Sequence, residues 1–152
     1  MKKAYHIKVN RVAEAGEAMS VNTPDLAVKY WKDKIATADW YDSERECLIV
    51  IILNTRMKTI GHSIVSIGSL NESLCHPRDV FRAVVAMGAY GFVLMHNHPS
   101  GDPSPSQADR TVTSRIADGA RILQVQFLDH VIVGTDDNSE TQRFSFKEAG
   151  NI

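Results

Sequence analysis

Hydrophobic residues recur along this chain with two spacings, and the switches between them mark its elements. The first 22 residues show only weak periodicity, with Ile7 and Val9 as a short strand and a polar stretch over 11–22. This segment reads as an N-terminal arm ahead of a single domain over 23–152. Thr23 offers an N-cap hydroxyl, and Pro24 suits a first helical position, where its missing N–H is not needed. Val28, Trp31, Ile35 and Ala38 follow at helical spacing and predict a leading helix over 24–38.

From 46 to 53 and from 59 to 67 the chain is rich in Ile and Val, and the polar stretch 54–58 between them predicts a hairpin. Pro77 opens a run with Val80, Phe81, Val84 and Val85 on one helical face, ending near Gly88. A short apolar strand is predicted over 90–95, then a loop dense in Pro, Ser and Gly, then a helix over about 105–123 carried by Val112, Ile116, Ala120 and Leu123. Strands over 125–134 and 143–146, separated by the turn-like 135–138, complete the order. Strands interleaved with helices predict an α/β or α+β fold, and the hairpin makes the central β-sheet mixed rather than all parallel.

Composition narrows the class. The chain has 152 residues, 17 Lys and Arg against 18 Asp and Glu, and 43% hydrophobic residues, the profile of one globular domain rather than a disordered chain. Its near-neutral charge argues against a broad phosphate-binding surface and leaves room for a local basic patch. Nucleic acid is therefore a disfavoured partner. The apolar runs 47–53 and 88–95 fall far short of a membrane span, and His6, Lys8, Asn10 and Arg11 break any signal-peptide core. Cys47 and Cys75 are two and far apart, which speaks against a disulfide framework and for a reducing cytoplasm.

The chemistry concentrates in His96-Asn97-His98, followed eleven residues later by Asp109. In an extended segment residues i and i+2 point the same way, so both imidazoles can converge, and Asp109 can supply a third ligand from across the loop. Two neutral nitrogens and one carboxylate suit Zn²⁺ and leave a fourth position open, the arrangement of a catalytic rather than a structural metal. Ser106-Gln107-Ala108-Asp109 can form a capping box. The preferred register instead caps with Ser104, puts Pro105 at N1, and frees Ser106 and Asp109 to face the metal.

His96-x-His98-Pro99 with Ser106-x-x-Asp109 resembles the JAMM motif of JAB/MPN zinc metalloproteases. The wider stretches CHPRDVF, HNHPSG and LDHVIVG are similar to the RadC-like branch of that family, over roughly 44–147. The resemblance implies a JAB/MPN (cytidine deaminase-like) core, zinc on His96, His98 and Asp109, and Ser106 beside the oxyanion. It also implies a catalytic glutamate at the start of the first core strand. Glu46 is the match and Glu44 the runner-up. Zinc lowers the pKa of bound water to roughly 7. Glu46 would then serve as general base and return the proton to the leaving amine, help typically worth ~10²–10⁴-fold. The implied reaction is hydrolysis of a peptide or isopeptide bond in a protein substrate.

Two other classes compete. A DNA-repair accessory factor is what the RadC resemblance suggests, yet the residues ahead of Glu46 supply one convincing helix rather than the helix-hairpin-helix region that RadC-like proteins commonly carry. A non-catalytic MPN interaction scaffold would require lost ligands, and none is missing. Elsewhere, His76 is expected near a helix start in a structural role. Asp129 and His130 are adjacent on a strand and face opposite ways, with His130 expected to bond backbone. His62 and Cys75 lack metal-like spacing, and Met87 and Met95 read as core. Ser100, Gly101 and Asp102 are expected to line the cleft on a mobile loop.

Overall fold

The computed structural model describes residue 4 and residues 16–68, 75–135 and 140–152. The expected strand at Ile7 and Val9 and most of the turn after 135 lie outside these residues. Five strands, β1 (Glu46–Leu53), β2 (Thr59–Gly68), β3 (Gly91–His98), β4 (Gln126–Thr135) and β5 (Thr141–Ser145), form one sheet in the order β2-β1-β3-β4-β5. β3 and β4 are parallel and the other neighbours antiparallel. With helices α1 (Pro24–Tyr30), α2 (Pro77–Ala86) and α3 (Gln107–Leu123), this is the mixed, helix-flanked α+β fold that the sequence predicts.

The hairpin between β1 and β2 closes through Asn54, whose side chain accepts from the amides of Arg56 and Lys58 at 2.9 and 3.1 Å. β1 and β3 lie in the middle of the sheet and are buried on both faces, which explains their nearly unbroken apolar runs. Odd-numbered residues Ile49, Ile51, Val93 and Met95 meet Ala27, Tyr30, Trp31 and Ile35 from the α1 side. Even-numbered Leu48, Val50, Phe92 and Leu94 meet Val80, Phe81 and Val84 of α2 and Val112 and Ile116 of α3. Each such aliphatic side chain contributes ~1.5–3 kcal/mol when fully buried. Val21 joins the α1-side core, and its amide donates to the Met57 carbonyl at 3.0 Å, so the end of the N-terminal segment is docked on the domain.

Several boundaries differ from expectation. The leading helix is α-helical only to Tyr30. Trp31–Ile35 is a π-helical turn, with the Ala36 amide bonded to the Trp31 carbonyl five residues back; Trp31 and Ile35 both lie in the core. β3 runs to His98 rather than stopping at Met95, because parallel pairing with β4 continues to His98 opposite Gly134. β5 is displaced toward the N-terminus and ends at Ser145, after which the Phe146 amide bonds the His130 carbonyl.

The start of α3 also differs. Ser106, not Ser104, is the N-cap: its Oγ accepts from the Asp109 amide at 3.1 Å, while Asp109 Oδ2 accepts from the Ser106 amide at 2.7 Å. The reciprocal pair satisfies two helix-end donors at once, which a cap at Ser104 would not do.

Candidate metal centre

Extending β3 through His98 puts His96 and His98 on the face that carries Phe92 and Leu94, under the N-terminus of α3. There His96 Nε2 and His98 Nε2 face each other at 3.0 Å. The Asp109 carboxylate closes the triangle, 3.1 Å from His96 Nε2 and 3.2 Å from His98 Nε2. Asp109 therefore serves the capping box and the cluster together; the sequence reading treated these as alternatives. A carboxylate has about four lone-pair sites, enough for both.

The two imidazoles are held differently. His98 directs Nδ1–H to the Asp102 carbonyl at 2.8 Å, which leaves its Nε2 toward the cluster. His96 is fully buried, and its Nδ1 lies 2.8 Å from His130 Nε2. The expectation of a backbone partner for the His130 ring does not hold: its neighbours are His96 and the Thr113 hydroxyl, at 2.6 Å from Nδ1. Asp129, one position away, turns to the other side as expected and accepts from Ser145 and from the amides of His130 and Lys147.

Electrostatics follow the geometry. Burial works to raise the pKa of Asp109, but its close contacts with the His96 and His98 rings outweigh it and hold the carboxyl well below the usual carboxylate range. The hydrogen bond to Asp109 raises His98 against the opposing effect of burial, with help from the Asp102 carbonyl and the charges of Asp109 and Glu46. Burial pushes His130 well below the ordinary histidine value.

These groups fit a metal. Donors around a tetrahedral zinc with bonds of ~2.0–2.1 Å stand about 3.3 Å apart, close to the 3.0–3.2 Å separations here. His96, His98 and Asp109 are the one group among the described residues whose ligand atoms converge in this way. Two nitrogens and one oxygen form a borderline donor set, suited to zinc more than to magnesium or calcium.

Glu46 begins β1 on the same face as Leu48, which pairs with His96 across the sheet. Its carboxylate is near enough for its charge to help hold the proton on His98. Asn97, the residue between the histidines, points to the other face and clamps this strand end. Its Oδ1 accepts from the Cys47 amide at 2.8 Å, and its Nδ2 donates to the Arg45 carbonyl at 3.0 Å. Both backbone neighbours of Glu46 are thus tied to β3 beyond the last regular pair. Glu44 does not extend the strand. It sits in the preceding turn, its amide bonded to Asp42, and lines a groove of about 370 Å³ together with Trp31, Tyr41, Asn97, His98 and Pro99.

The loop from Pro99 to Pro105, expected to be mobile, is tied down internally. The Gly101 amide bonds the His98 carbonyl at 3.0 Å, and Asp102 Oδ1 accepts from the Ser104 amide at 2.9 Å. It also rests on Gly134, where a Cβ would collide with the Gly101 carbonyl. Only a glycine lets the loop lie this close to β4. His76 stands exposed at the N-cap of α2, without a capping side-chain bond. His62 pairs with the Tyr30 hydroxyl at 2.8 Å. Cys47 and Cys75 are buried free thiols, each pushed up to about 11 by burial. Met95 is core and Met87 half-buried, and no helix among the described residues is long and apolar enough to cross a membrane.

Sequence reasoning missed Asn97, Thr113 and the role of the His130 ring. Asn97 stood in plain view between the two histidines, and a polar amide at the end of an apolar run was the available signal. Thr113 and His130 carried none, because their meeting depends on how α3 and β4 pack.

Comparison with known proteins gives the family. The RadC-like JAB domain family matches residues 11–151. A UPF0758 protein of Chlorobaculum parvum is 45% identical over 107 residues, covering 70% of this chain and 46% of that protein. One of Thermotoga maritima is 45% identical over 109 residues, covering 72% and 47%. One of Caldanaerobacter subterraneus subsp. tengcongensis is 38% identical over 135 residues, covering 89% and 54%. The chain thus spans about half the length of the curated relatives it matches. With the family match running over residues 11–151 and these relatives beside it, the chain belongs to the RadC-like JAB domain family.

Proposed function

We propose that this domain is a zinc-dependent metallopeptidase that hydrolyses a peptide or isopeptide bond. The observation that carries the reading is the convergence of His96, His98 and Asp109 on one point, with Glu46 on the same face of the sheet. His96, His98 and Asp109 would hold the ion. When bound, zinc supplies Lewis acidity and brings the pKa of water to roughly 7.

Glu46 takes a proton from the attacking water and delivers it to the departing nitrogen, which as a free amide anion would be too poor a leaving group. Asn97 fixes the strand end that carries this carboxylate. The Ser106 oxygen already accepts the Asp109 amide, so its own hydroxyl hydrogen is free to donate to the carbonyl oxygen as negative charge develops there. Loss of one such donor typically costs ~10²–10³ in rate.

Two measurements on the purified protein test this reading. Zinc content after loading is expected at one ion per chain, and a panel of peptide and isopeptide substrates is expected to include one that is cleaved. Glu46→Gln should keep the zinc and lose the cleavage. A chain that takes up no zinc after addition would instead be the non-catalytic scaffold, and inactivation by Glu44→Gln but not by Glu46→Gln would move the base to Glu44.

A further inference from the structure

We infer that Thr113 and His130 form a hydrogen-bond relay that fixes the tautomer of His96, and through it the strength with which the site holds a cation. The inference rests on the metal-site reading above and concerns two residues that touch neither the ion nor the substrate.

Proton counting leads to it. The Thr113 hydroxyl has one hydrogen, and it donates to the Asp109 carbonyl at 2.7 Å, a group that can only accept. The 2.6 Å contact between the Thr113 oxygen and His130 Nδ1 must then use an N–H from the ring. His130 is fully buried and has no carboxylate hydrogen-bonded to its ring, so it stays neutral with its single proton on Nδ1. Its Nε2 is therefore an acceptor. The 2.8 Å contact with His96 Nδ1 requires the proton to lie on His96 Nδ1. That leaves His96 Nε2 bare, with its lone pair aimed at the gap shared with His98 and Asp109.

The relay joins two ligands that come from different elements. It leaves the backbone of Asp109 on α3, passes through Thr113 one turn later, crosses to His130 on β4 and ends at His96 on β3. Phe146 holds the middle of it, stacking on the His130 ring at 4.9 Å with the planes 9° apart. His130 and Thr113 are thus positioning residues: they decide which His96 nitrogen meets the cation, and partners of this kind typically govern metal affinity by 10–100-fold.

Zinc affinity, measured by competition with a chromogenic chelator, tests the relay together with circular dichroism and melting of the zinc-free proteins. His130→Leu, which removes the acceptor, is expected to fold and to lower zinc affinity by about 10–100-fold. His130→Gln, whose side-chain oxygen can accept from His96, should recover part of the loss. Thr113→Val should weaken binding less than His130→Leu, and Thr113→Ser should restore it. Nitrogen NMR of the histidine rings in the zinc-free wild type tests the tautomers without any variant, and should find the protons of His130 and His96 on Nδ1. Wild-type zinc affinity in folded His130→Leu, or a proton on His130 Nε2, would overturn the relay alone. A wild type that binds no zinc would overturn both the relay and the metal site.

Discussion

The two histidines of the cluster sit two residues apart on one strand and face the same point, yet they are secured by unlike means. His98 lies at the strand end with 11% of its side chain exposed, and its second nitrogen is held by a carbonyl four residues ahead in its own loop. His96 has no exposure, and its second nitrogen is held by a side chain 34 residues away in sequence. The outer histidine is set by local chain geometry, the inner one by the packing of β3, β4 and α3. A cluster built this way has a rigid floor and a rim whose hold depends on one loop.

The largest expected effect separates these roles. His96→Ala should abolish zinc binding and also destabilise the zinc-free fold by ~3–5 kcal/mol, since it strips the buried His130 ring of its partner and opens a cavity in the packed interior. His98→Ala should abolish zinc binding as well but cost only ~1–2 kcal/mol, close to the loss of one hydrogen-bonded group. Denaturant melts in the presence of a chelator measure both; equal destabilisation would erase the distinction between floor and rim.

Gly134→Ala attacks the rim from beneath. The added Cβ collides with the backbone of Gly101, so the loop must lift, and the Asp102 carbonyl with it. Zinc affinity should fall while His96 remains ordered, and the strain should lower stability by ~1–3 kcal/mol. Asn97→Leu should act on the opposite side of the strand: it leaves the Cys47 amide and the Arg45 carbonyl without their partners, at ~1–3 kcal/mol. Zinc should be retained in that variant, and any hydrolysis should drop because Glu46 is no longer held. A normal turnover rate would show that the clamp does not matter to the base.

How much of this was legible beforehand follows the same division. The strands over 46–53 and 59–67, the Pro-initiated helix at 77 and the mixed sheet were readable because apolar spacing and turn chemistry are local signals. So was the convergence of His96, His98 and Asp109, which alternation along a strand and one loop closure suffice to suggest. The N-cap was misread because Pro105 is a strong local cue for N1, whereas Ser106 and Asp109 satisfy each other's backbone amides in a register that leaves Asp109 inside the cluster. The partner of the His130 ring could not be read from the sequence, since no spacing encodes which strand a helix packs against.

The smallest effect lies outside the cluster. His62 is kept below the ordinary histidine value of 6.5 by burial against Tyr30. As pH falls below 6.5, the unfolded chain takes up a proton there before the folded one does, so this residue contributes stability above 6.5 that is lost as pH falls through its lower folded value. His62→Phe should make stability less steeply dependent on pH between 5 and 7, as measured by denaturant melts at fixed ionic strength; an unchanged slope would mean that the group does not titrate on unfolding.

The central claim is that His96, His98 and Asp109 share one divalent ion. Metal analysis of the chain after zinc loading and exhaustive dialysis tests it most directly, with Asp109→Ala dialysed in parallel. The account predicts one zinc per wild-type chain and none in the variant; an empty wild type, or full occupancy in Asp109→Ala, would contradict it.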